Sequence, residues 1–289
     1  MSKQIKYTLI IIGIGASLGV AILNVGNARG VAQIIFFDIG QGDSIMIITP
    51  DNKRILIDGG PGNFLISEIG RYLPFYDRYI DIMILTHAHD DHVSGLNEVL
   101  KRYDVGLILY PGDIDYNAES YLSWLELIEE RGLNLQSTIA GDVYNFASST
   151  LEVLYPFEPY SGQKVDDVNG TSVVVKYCYI EVCALFTGDA TTEVEESILI
   201  SGQDVSADIL KLAHHGSQYS NTEVWLQAVA ANLVVIQSGV DNKFNHPHLR
   251  IIKRLGRMGV DVLRNDLLGE IIVETNGYDY WKAISIITD

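Results

Sequence analysis

Cysteine and basic residues are both scarce in this chain. Two cysteines among 289 residues, Cys178 and Cys183, are too few for a disulfide framework, and they lack the C-x-x-C spacing of a metal site. We expect two small residues of a strand; the alternative is a bridge across a short hairpin. Lysine and arginine number 20 against 37 acidic residues, and the formal net charge of −17 repels nucleic acid and anionic lipid beyond a Debye length of about 8 Å. A polyanionic substrate must therefore be attracted locally, by metal ions or a few basic side chains.

From residue 31 onward the chain has no long apolar run, no Pro/Ser-rich linker and no internal repeat, so we expect one compact domain over residues 31–289. Short β-branched runs come first and are typical of a strand meander: QIIFFDI, SIMIIT and RILID, separated by GQGD and PDNKR turns. Later strands alternate with helical patterns over residues 64–72, 92–103, 120–131, 193–200, 222–230 and 247–258. This order predicts an α/β protein with two sheets packed face to face and helices outside, a four-layer sandwich.

Residues 1–30 differ from the rest. A charge-free, mainly apolar run spans residues 7–25 and follows Lys3 and Lys6. As a helix with a rise of 1.5 Å per residue it reaches about 28 Å, close to a hydrocarbon thickness of about 30 Å. We therefore predict one N-terminal hydrophobic helix that crosses the cytoplasmic membrane once, with both lysines inside and the remaining chain outside. A cleaved signal peptide is the alternative, because Gly26-Asn27-Ala28 offers small residues for cleavage; the product would then be secreted.

The seven histidines are grouped along the chain. Structural histidines have no reason to group, whereas imidazole nitrogen is the commonest metal ligand. The groups contain His87, His89, His92, His214, His215, His246 and His248.

The first group lies in the motif THAHDDH, which follows the apolar strand DIMIL and precedes the helical segment VSGLNEVLKRY. Alternate residues at the end of a strand point to one side, so His87 and His89 can converge on one ion. Asp91 and His92, at the next turn, can face a second ion. So many polar ligand-type residues directly after a buried strand would be costly without a cation. The motif therefore predicts metal binding.

The spacing H-x-H-x-D-H resembles the signature of metallo-β-lactamase-fold hydrolases. FFDIGQGDSIMIITPDNKRILIDGG, NGTSVVVKY, LFTGDAT, ADILKLAHHGS and SGVDNKFNHPH are similar, in the same order, to motifs of the hydrolase domain of ComEC-type competence proteins. The resemblance runs from about Ile34 to Val273. It implies a four-layer αββα metallo-β-lactamase sandwich and a metal-dependent hydrolase with one or two divalent ions, Zn²⁺ or Mn²⁺.

The resemblance also implies a ligand set. His87 and His89 would hold the first metal, and Asp189 of FTGDA would bridge to the second, so that a hydroxide held by the metals serves as nucleophile. Asp91 and Asp189 are thus the expected catalytic carboxylates. The ligands of the second metal would be Asp91, His92 and His215.

Asn169 of NGTS is a departure from the wider fold, because many relatives have a histidine there as a third protein ligand to the first metal. An amide oxygen is a harder and weaker ligand than imidazole. Asn169 therefore favours Mn²⁺, or a single well-held metal, over two tightly bound Zn²⁺ ions.

Several weaker candidates surround this set. Carboxylates of the FDIGQGD and LIDGG motifs would lie under the site and fix histidine tautomers, or would only cap turns; these are Asp38, Asp43 and Asp58. His246 could donate to a phosphate oxygen or protonate a leaving group, and is the third expected catalytic residue. Ser217, Asn245 and His248 are expected substrate contacts. His214 is expected to be structural, because its side chain should diverge from that of its neighbour.

The leading hypothesis is a phosphodiesterase, in particular a nuclease that acts on DNA outside the cytoplasmic membrane, by analogy with the ComEC-type domain. The chain lacks the many-helix channel of full competence proteins, so a separate DNA-uptake channel is an expected partner. The alternatives are a cell-envelope phosphodiesterase resembling phosphorylcholine esterases, a lactone or β-lactam hydrolase, and a metal-stabilised binding module without catalysis. The residues alone define only the reaction class.

Overall fold

A computed structural model describes residues 30–284 of the chain. The predicted N-terminal helix over residues 7–25 lies outside the described residues, as do the last residues, 285–289. Within residues 30–284, no helix is long and apolar enough to cross a membrane.

Strands and helices alternate along the chain. The strands are β1 Ala32–Phe36, β2 Ile45–Ile48, β3 Arg54–Ile57, β4 Tyr79–Ile84, β5 Asp104–Tyr110, β6 Leu135–Ser137, β7 Val143–Asn145, β8 Ser149–Tyr155, β9 Val174–Tyr179, β10 Val182–Phe186, β11 Ile209–Lys211, β12 Leu233–Ile236, β13 Asp261–Arg264, β14 Ile271–Thr275 and β15 Tyr280–Ile284. The helices are α1 Phe64–Tyr72, α2 Asp90–Leu100, α3 Glu119–Arg131, α4 Thr192–Ser201, α5 Glu223–Val229, α6 Leu249–Met258 and α7 Asn265–Leu268. Two short 3₁₀ helices span Val168–Thr171 and Ala213–Gly216.

The strands form two sheets, as predicted. The 8-stranded sheet has the order β15-β14-β1-β2-β3-β4-β5-β6, and the 7-stranded sheet has the order β13-β12-β11-β10-β9-β8-β7. In the first sheet β1, β2 and β3 pair antiparallel as the predicted meander, and β4, β5 and β6 join it in parallel. The change to parallel pairing occurs where helices begin to separate the strands, because a parallel connection needs a crossover.

Three hydrophobic clusters fix the order of the layers. Along β1, Ile34 and Phe36 pack in the cluster between the two sheets, whereas Ile35 packs in the cluster that contains residues of α1, α2 and α3. This alternation follows from the two-residue period of a strand. A third cluster joins the outer face of the second sheet to α4, α5 and α6, for example through Leu210 and Trp225. The layers are therefore helices, sheet, sheet and helices.

The two cysteines form a disulfide, so our expectation of two unpaired strand residues is wrong. Cys178 and Cys183 lie directly opposite each other in the antiparallel hairpin of β9 and β10. Their Cα atoms are 4.1 Å apart, close to the spacing of about 4.5 Å that brings side chains together at a non-hydrogen-bonded pair. The bridge across a short hairpin, our alternative, is the correct interpretation.

The loops after β3, β4, β10 and β11 meet at one end of the sandwich. The backbone N–H of His214, after β11, donates to the carbonyl of Gly188, after β10, at 3.1 Å. Helix α2 lies directly against the loop after β3, and this contact requires glycine: a Cβ on Gly95 would be 1.8 Å from the Gly59 carbonyl oxygen. The THAHDDH, FTGDA and LAHHG segments therefore converge on one region.

Candidate metal centre

The THAHDDH motif places two histidines of different burial side by side. His87 is buried at the end of β4, and His89 is partly exposed as the N-cap residue of α2. His87 Nε2 and His89 Nδ1 are 3.0 Å apart. Two nitrogens bound tetrahedrally to one Zn²⁺ at about 2.1 Å would be about 3.4 Å apart. The two nitrogens are therefore close enough for both to contact one ion, and their assignment to a first metal stays a prediction.

Asp189 lies at the centre of the site, where β10 ends. Its side chain is almost completely buried, and its two carboxylate oxygens face different histidines. Oδ1 is 3.5 Å from His92 Nε2, and Oδ2 is 3.4 Å from His215 Nε2. The carboxylate could therefore contact a cation held by either histidine.

Four overlapping sets of side chains among the described residues could hold a cation, and two of them do not include Asp43, whose carboxylate is paired with Lys211. In each of these two sets the potential ligand atoms lie within 4.8 Å of one another: one set is His87, His92 and Asp189, and the other is Asp91, His92 and His215. Asp91 Oδ2 is 3.6 Å from His215 Nε2. Since the sets share a histidine and Asp189 lies between them, the site could hold one ion or two.

Several buried polar atoms at this position have no hydrogen-bond partner in the protein. They are His92 Nε2, His215 Nε2, Asp189 Oδ1 and Asn169 Oδ1. A buried polar atom that remains unpaired costs about 1 to 3 kcal/mol, so such a group requires a partner. Nitrogen and oxygen ligands of this kind suit Zn²⁺ or Mn²⁺, and the residues therefore fit a divalent cation.

Asp58 and the carbonyl of Gln237 orient the two inner histidines. Asp58 Oδ2 is 2.8 Å from His92 Nδ1 and also accepts from the Thr86 hydroxyl at 2.7 Å. The Gln237 carbonyl oxygen is 2.9 Å from His215 Nδ1. Each histidine can donate its Nδ1–H away from the cavity, which leaves Nε2 free to bind metal. Asp58 lies where it was predicted, beneath the site.

Asp43, also predicted beneath the site, pairs with a buried lysine that we did not predict. Lys211 is fully buried at the end of β11, forms an ion pair with Asp43, and lies 3.9 Å from Asp189 Oδ1. Burial alone would raise the pKa of Asp43, but Lys211 and the nearby His215 hold it below the ordinary value. The lysine therefore keeps a buried carboxylate ionised beside His215, whose Nδ1 is 3.3 Å from Asp43 Oδ1.

The charge balance of the site favours a cation. Burial disfavours a charged imidazole, yet the pKa values of His92 and His215 lie well above the ordinary value because nearby carboxylates outweigh burial. Asp189 acts on both histidines, with Asp58 on the first and Asp43 on the second. Since a metal ligand must be a neutral imidazole, metal binding here would displace these protons.

A cavity of about 390 Å³ opens over these residues. Its walls include His89, Asp91, Asn169, Asp189 and His215, together with Gln41, Asp90, Tyr116, His214, Phe244 and His246. His246 is half-buried, and burial together with the neighbouring His215 and His214 lowers its pKa to about 4. His246 is therefore neutral at neutral pH.

His214 faces the site, contrary to our expectation that it is structural. Its Nε2 is 3.7 Å from Asp189 Oδ2, and the residue lines the cavity. Both His214 and His215 have a left-handed backbone, with φ of 51° and 53°. This conformation is uncommon for residues other than glycine, and here it turns adjacent side chains toward the same carboxylate. The motif HHG does not reveal such a turn.

Four predicted residues are not brought to the cavity. Asp38 is exposed between the buried Phe37 and Ile39, and burial of part of its carboxyl together with Glu68 and Asp266 raises its pKa. Ser217 is buried, and its hydroxyl accepts from the backbone N–H of Tyr219 at 3.3 Å. Asn245 is exposed, and His248 is the N-cap residue of α6. Alternation along the chain turns Asp38 away from the site, and the substrate contacts expected of Ser217, Asn245 and His248 stay predictions.

Comparison with known proteins agrees with this geometry. The sequence profile described as "Metallo-beta-lactamase superfamily" matches residues 38–239. The chain is 29% identical to ComE operon protein 3 of Bacillus subtilis over 257 residues, which cover 83% of this chain and 32% of that protein. It is also 29% identical to competence protein ComA of Neisseria gonorrhoeae over 245 residues, again 83% of this chain and 32% of that protein. The chain therefore spans about a third of the length of these relatives.

A solved structure shares the fold. The metallo-beta-lactamase fold protein YhfI from Bacillus subtilis has a TM-score of 0.55 and 12% sequence identity, and the match covers 88% of this chain and 99% of that one. Identity at this level supports the architecture alone. The predicted resemblance to ComEC-type competence proteins is confirmed by the two sequence relatives.

Proposed function

Since the chain belongs to the metallo-beta-lactamase superfamily and is related to competence proteins, we propose that it is a metal-dependent phosphodiesterase that cleaves DNA outside the cytoplasmic membrane. The observation that carries the proposal is the buried Asp189 carboxylate, whose oxygens face the unpaired Nε2 atoms of His92 and His215 at the floor of an open cavity. An arrangement that only stabilised the fold would not need to face a cavity.

The proposed cofactor is one or two divalent ions, Zn²⁺ or Mn²⁺. His87 and His89 would hold the first, and Asp189 would be shared with a second. The second would also be held by Asp91, His92 and His215. When bound, such ions supply Lewis acidity toward a phosphoryl oxygen and a nucleophile at neutral pH.

The position of Asn169 supports our inference that the first metal site binds its ion more weakly than the second. Its Oδ1 is buried without a partner and the residue lines the cavity, so the amide oxygen is available to a cation. An amide binds transition metals less tightly than imidazole does. Replacing Asn169 by histidine should raise Zn²⁺ occupancy toward two per chain. Wild-type protein that already retains two zinc ions through dialysis, with no change in the variant, would contradict this assignment.

His246 and His214 would act on the substrate from the cavity wall. His246 is neutral at neutral pH, because burial and neighbouring histidines lower its pKa to about 4. A neutral imidazole has one N–H donor, which can hold a phosphate oxygen or the leaving oxygen by a hydrogen bond. This favours hydrogen bonding over proton donation by a charged imidazole. A bound cation would lower the pKa of His246 further and leave this assignment unchanged.

DNA is the proposed substrate because the relatives are named for competence, the uptake of DNA. The net charge of −17 makes binding of a polyanion depend on the metals and a few local cations. By analogy with these relatives, a DNA-uptake channel is proposed as partner. The predicted span over residues 7–25 would tether the enzyme to the membrane, with its catalytic domain outside the cytoplasm. Alkaline phosphatase fused after Asp289 should therefore be active. An inactive fusion would reject this topology, and a soluble exported product starting near residue 29 would indicate cleavage.

A substrate panel separates this proposal from its alternatives. The purified full-length chain with Mn²⁺ or Zn²⁺ should nick or degrade DNA and should be inactive in chelator. If it hydrolyses bis-p-nitrophenyl phosphate or p-nitrophenylphosphorylcholine but leaves DNA intact, the enzyme is an envelope phosphodiesterase. Activity confined to lactones or β-lactams would indicate a lactone or β-lactam hydrolase. A chain that binds metal but hydrolyses none of these is a binding module.

A further inference from the structure

A second cavity, of about 460 Å³, adjoins the one above the candidate ligands. Gln41, Asp90, Asp91 and Phe244 line both cavities, so the two are continuous. Pro61, Asn242 and Lys243 line the second cavity and not the first. A substrate longer than a single phosphodiester could therefore occupy both at once.

Phe244 presents an aromatic face in this second cavity. Its side chain is 49% exposed, which is unusual for a phenylalanine beside a polar site. Its ring stacks on His246, with centroids 5.7 Å apart and planes inclined by 22°. Lys243, which is exposed, has its Nζ 4.9 Å from the ring centroid. Among the residues that line either cavity in the described part of the chain, Lys243 is the only lysine or arginine.

The loop that carries these residues is held in shape by Asn242. The Asn242 amide nitrogen donates to the carbonyls of Gly239 at 2.9 Å and His246 at 2.6 Å. Its amide oxygen accepts from the backbone N–H of Phe244 at 3.2 Å and of His246 at 2.9 Å. Gly239 N also donates to Gln41 Oε1 at 3.2 Å, which joins this loop to the loop before β2. The ring is therefore presented by an ordered turn.

We propose that Phe244 and Lys243 form a subsite for one unpaired nucleobase and its neighbouring phosphate, next to the phosphodiester that is cleaved. The inference rests on the proposed function and names its substrate class, single-stranded nucleic acid. An exposed aromatic ring offers a stacking face to any base, and an exposed ammonium attracts a backbone phosphate. A base within a duplex is already stacked on its neighbours, so the subsite selects unpaired strands or ends.

The same geometry disfavours a choline headgroup. A quaternary ammonium over the ring would lie beside the Lys243 ammonium, whose Nζ is 4.9 Å from the ring centroid, and like charges repel, whereas an uncharged base stacks without this repulsion. Asp90 also lines this cavity, and it accepts a hydrogen bond from the Ser120 hydroxyl. Among the described residues, Lys243 is therefore the one cationic side chain that lines this cavity beside the aromatic ring, and Asp90 and Asp91 on the same lining carry the opposite charge.

Fluorescence tests the stacking directly. A single-stranded phosphorothioate oligonucleotide carrying 2-aminopurine is titrated with the Mn²⁺-loaded full chain. Stacking on Phe244 should quench the fluorophore, and Phe244→Ala should abolish the quenching and raise the Kd about 5-fold to 100-fold, the range for one stacked base. Phe244→Trp should restore both. Lys243→Ala should raise the Kd and reduce the slope of log Kd against log salt by about 1. Phe75→Ala, a change at a ring that is 86% exposed elsewhere on the surface, is the matched control and should change neither.

Turnover distinguishes failure of the subsite from failure of the proposed function. In Phe244→Ala, the loss of kcat/KM on the oligonucleotide should exceed the loss on bis-p-nitrophenyl phosphate by the same 5-fold to 100-fold. Suppose that the wild type and Phe244→Ala cleave the oligonucleotide equally well and quench its fluorescence equally. The subsite is then refuted, and the proposed nuclease activity is supported. Absence of quenching in the wild type also refutes the subsite, and cleavage of p-nitrophenylphosphorylcholine alone would assign the aromatic ring to choline. Quenching that depends on Phe244 in a chain without nuclease activity supports the subsite and rejects the proposed reaction.

Discussion

Replacing Lys211 by methionine tests whether its buried charge is what keeps Asp43 ionised beneath the site. Both side chains are buried, and they form an ion pair. Removing one partner of a buried ion pair leaves an uncompensated charge and costs about 3 to 5 kcal/mol. A domain of roughly 150 to 250 residues loses about 2 to 4 °C of melting temperature per kcal/mol, so Lys211→Met should lower it by roughly 6 to 20 °C. Thermal unfolding of the metal-free chain, followed by circular dichroism, measures this.

A double-mutant cycle separates the charge from the lost packing. Asp43→Asn alone should cost less than Lys211→Met, because Asp189, whose Oδ1 is 3.9 Å from Lys211 Nζ, remains as a second carboxylate partner. The double variant should recover most of the loss, since neither charge of the ion pair remains buried. A Lys211→Met variant that melts within about 2 °C of the wild type, or a double variant no more stable than Lys211→Met, would refute the reasoning.

Three further predictions address the histidines and the hairpin. Asp58→Asn removes the carboxylate that accepts from His92 Nδ1–H, and metal affinity in a competition titration should fall about 10-fold to 100-fold; unchanged affinity would contradict the orienting role. His246→Ala should lower kcat on DNA about 10²-fold to 10³-fold with metal content unchanged. Because burial and neighbouring histidines lower the pKa of His246 to about 4, this loss should be equal at pH 6 and pH 8, and a loss confined to the acidic side would indicate a protonated histidine. The paired replacement Cys178→Ser and Cys183→Ser opens a bridge of sequence separation 5. It should cost about 2 kcal/mol in a denaturant titration, and an equal midpoint for oxidised and reduced wild type would contradict this.

The fold was predictable where local pattern and burial agree. Strands such as β1 and β12 are β-branched runs bounded by turns, and the helical patterns matched α1 and α3 closely. Strand β5 was not predicted, because Gly106 interrupts its apolar run. The short strands β6, β7 and β13, with the sequences LQS, VYN and DVLR, lack a continuous apolar run and are defined by their pairing partners.

The candidate ligands were predictable because they follow strands within recognisable motifs, whereas their supports depend on long-range packing. Asp38 and Asp43 lie in the same motif, FDIGQGD, and only the fold determines that the second turns inward while the first is exposed. Lys211 lies within an apolar strand segment, and its partner Asp43 is distant in sequence. The turn that brings His214 to the cavity requires a left-handed backbone at two adjacent histidines, which residue preferences would not predict.

The most direct test of a metal-dependent nuclease centred on Asp189 is DNA nicking measured together with metal content on the same dialysed sample. Wild-type protein should retain one or two divalent ions per chain, nick supercoiled DNA with Mn²⁺ and lose this activity in chelator. Asp189→Ala removes the carboxylate that faces both His92 and His215, and it should lose metal and nicking together. Retention of metal and full nicking activity by Asp189→Ala, or an intact DNA substrate with fully metal-loaded wild type, would contradict the account.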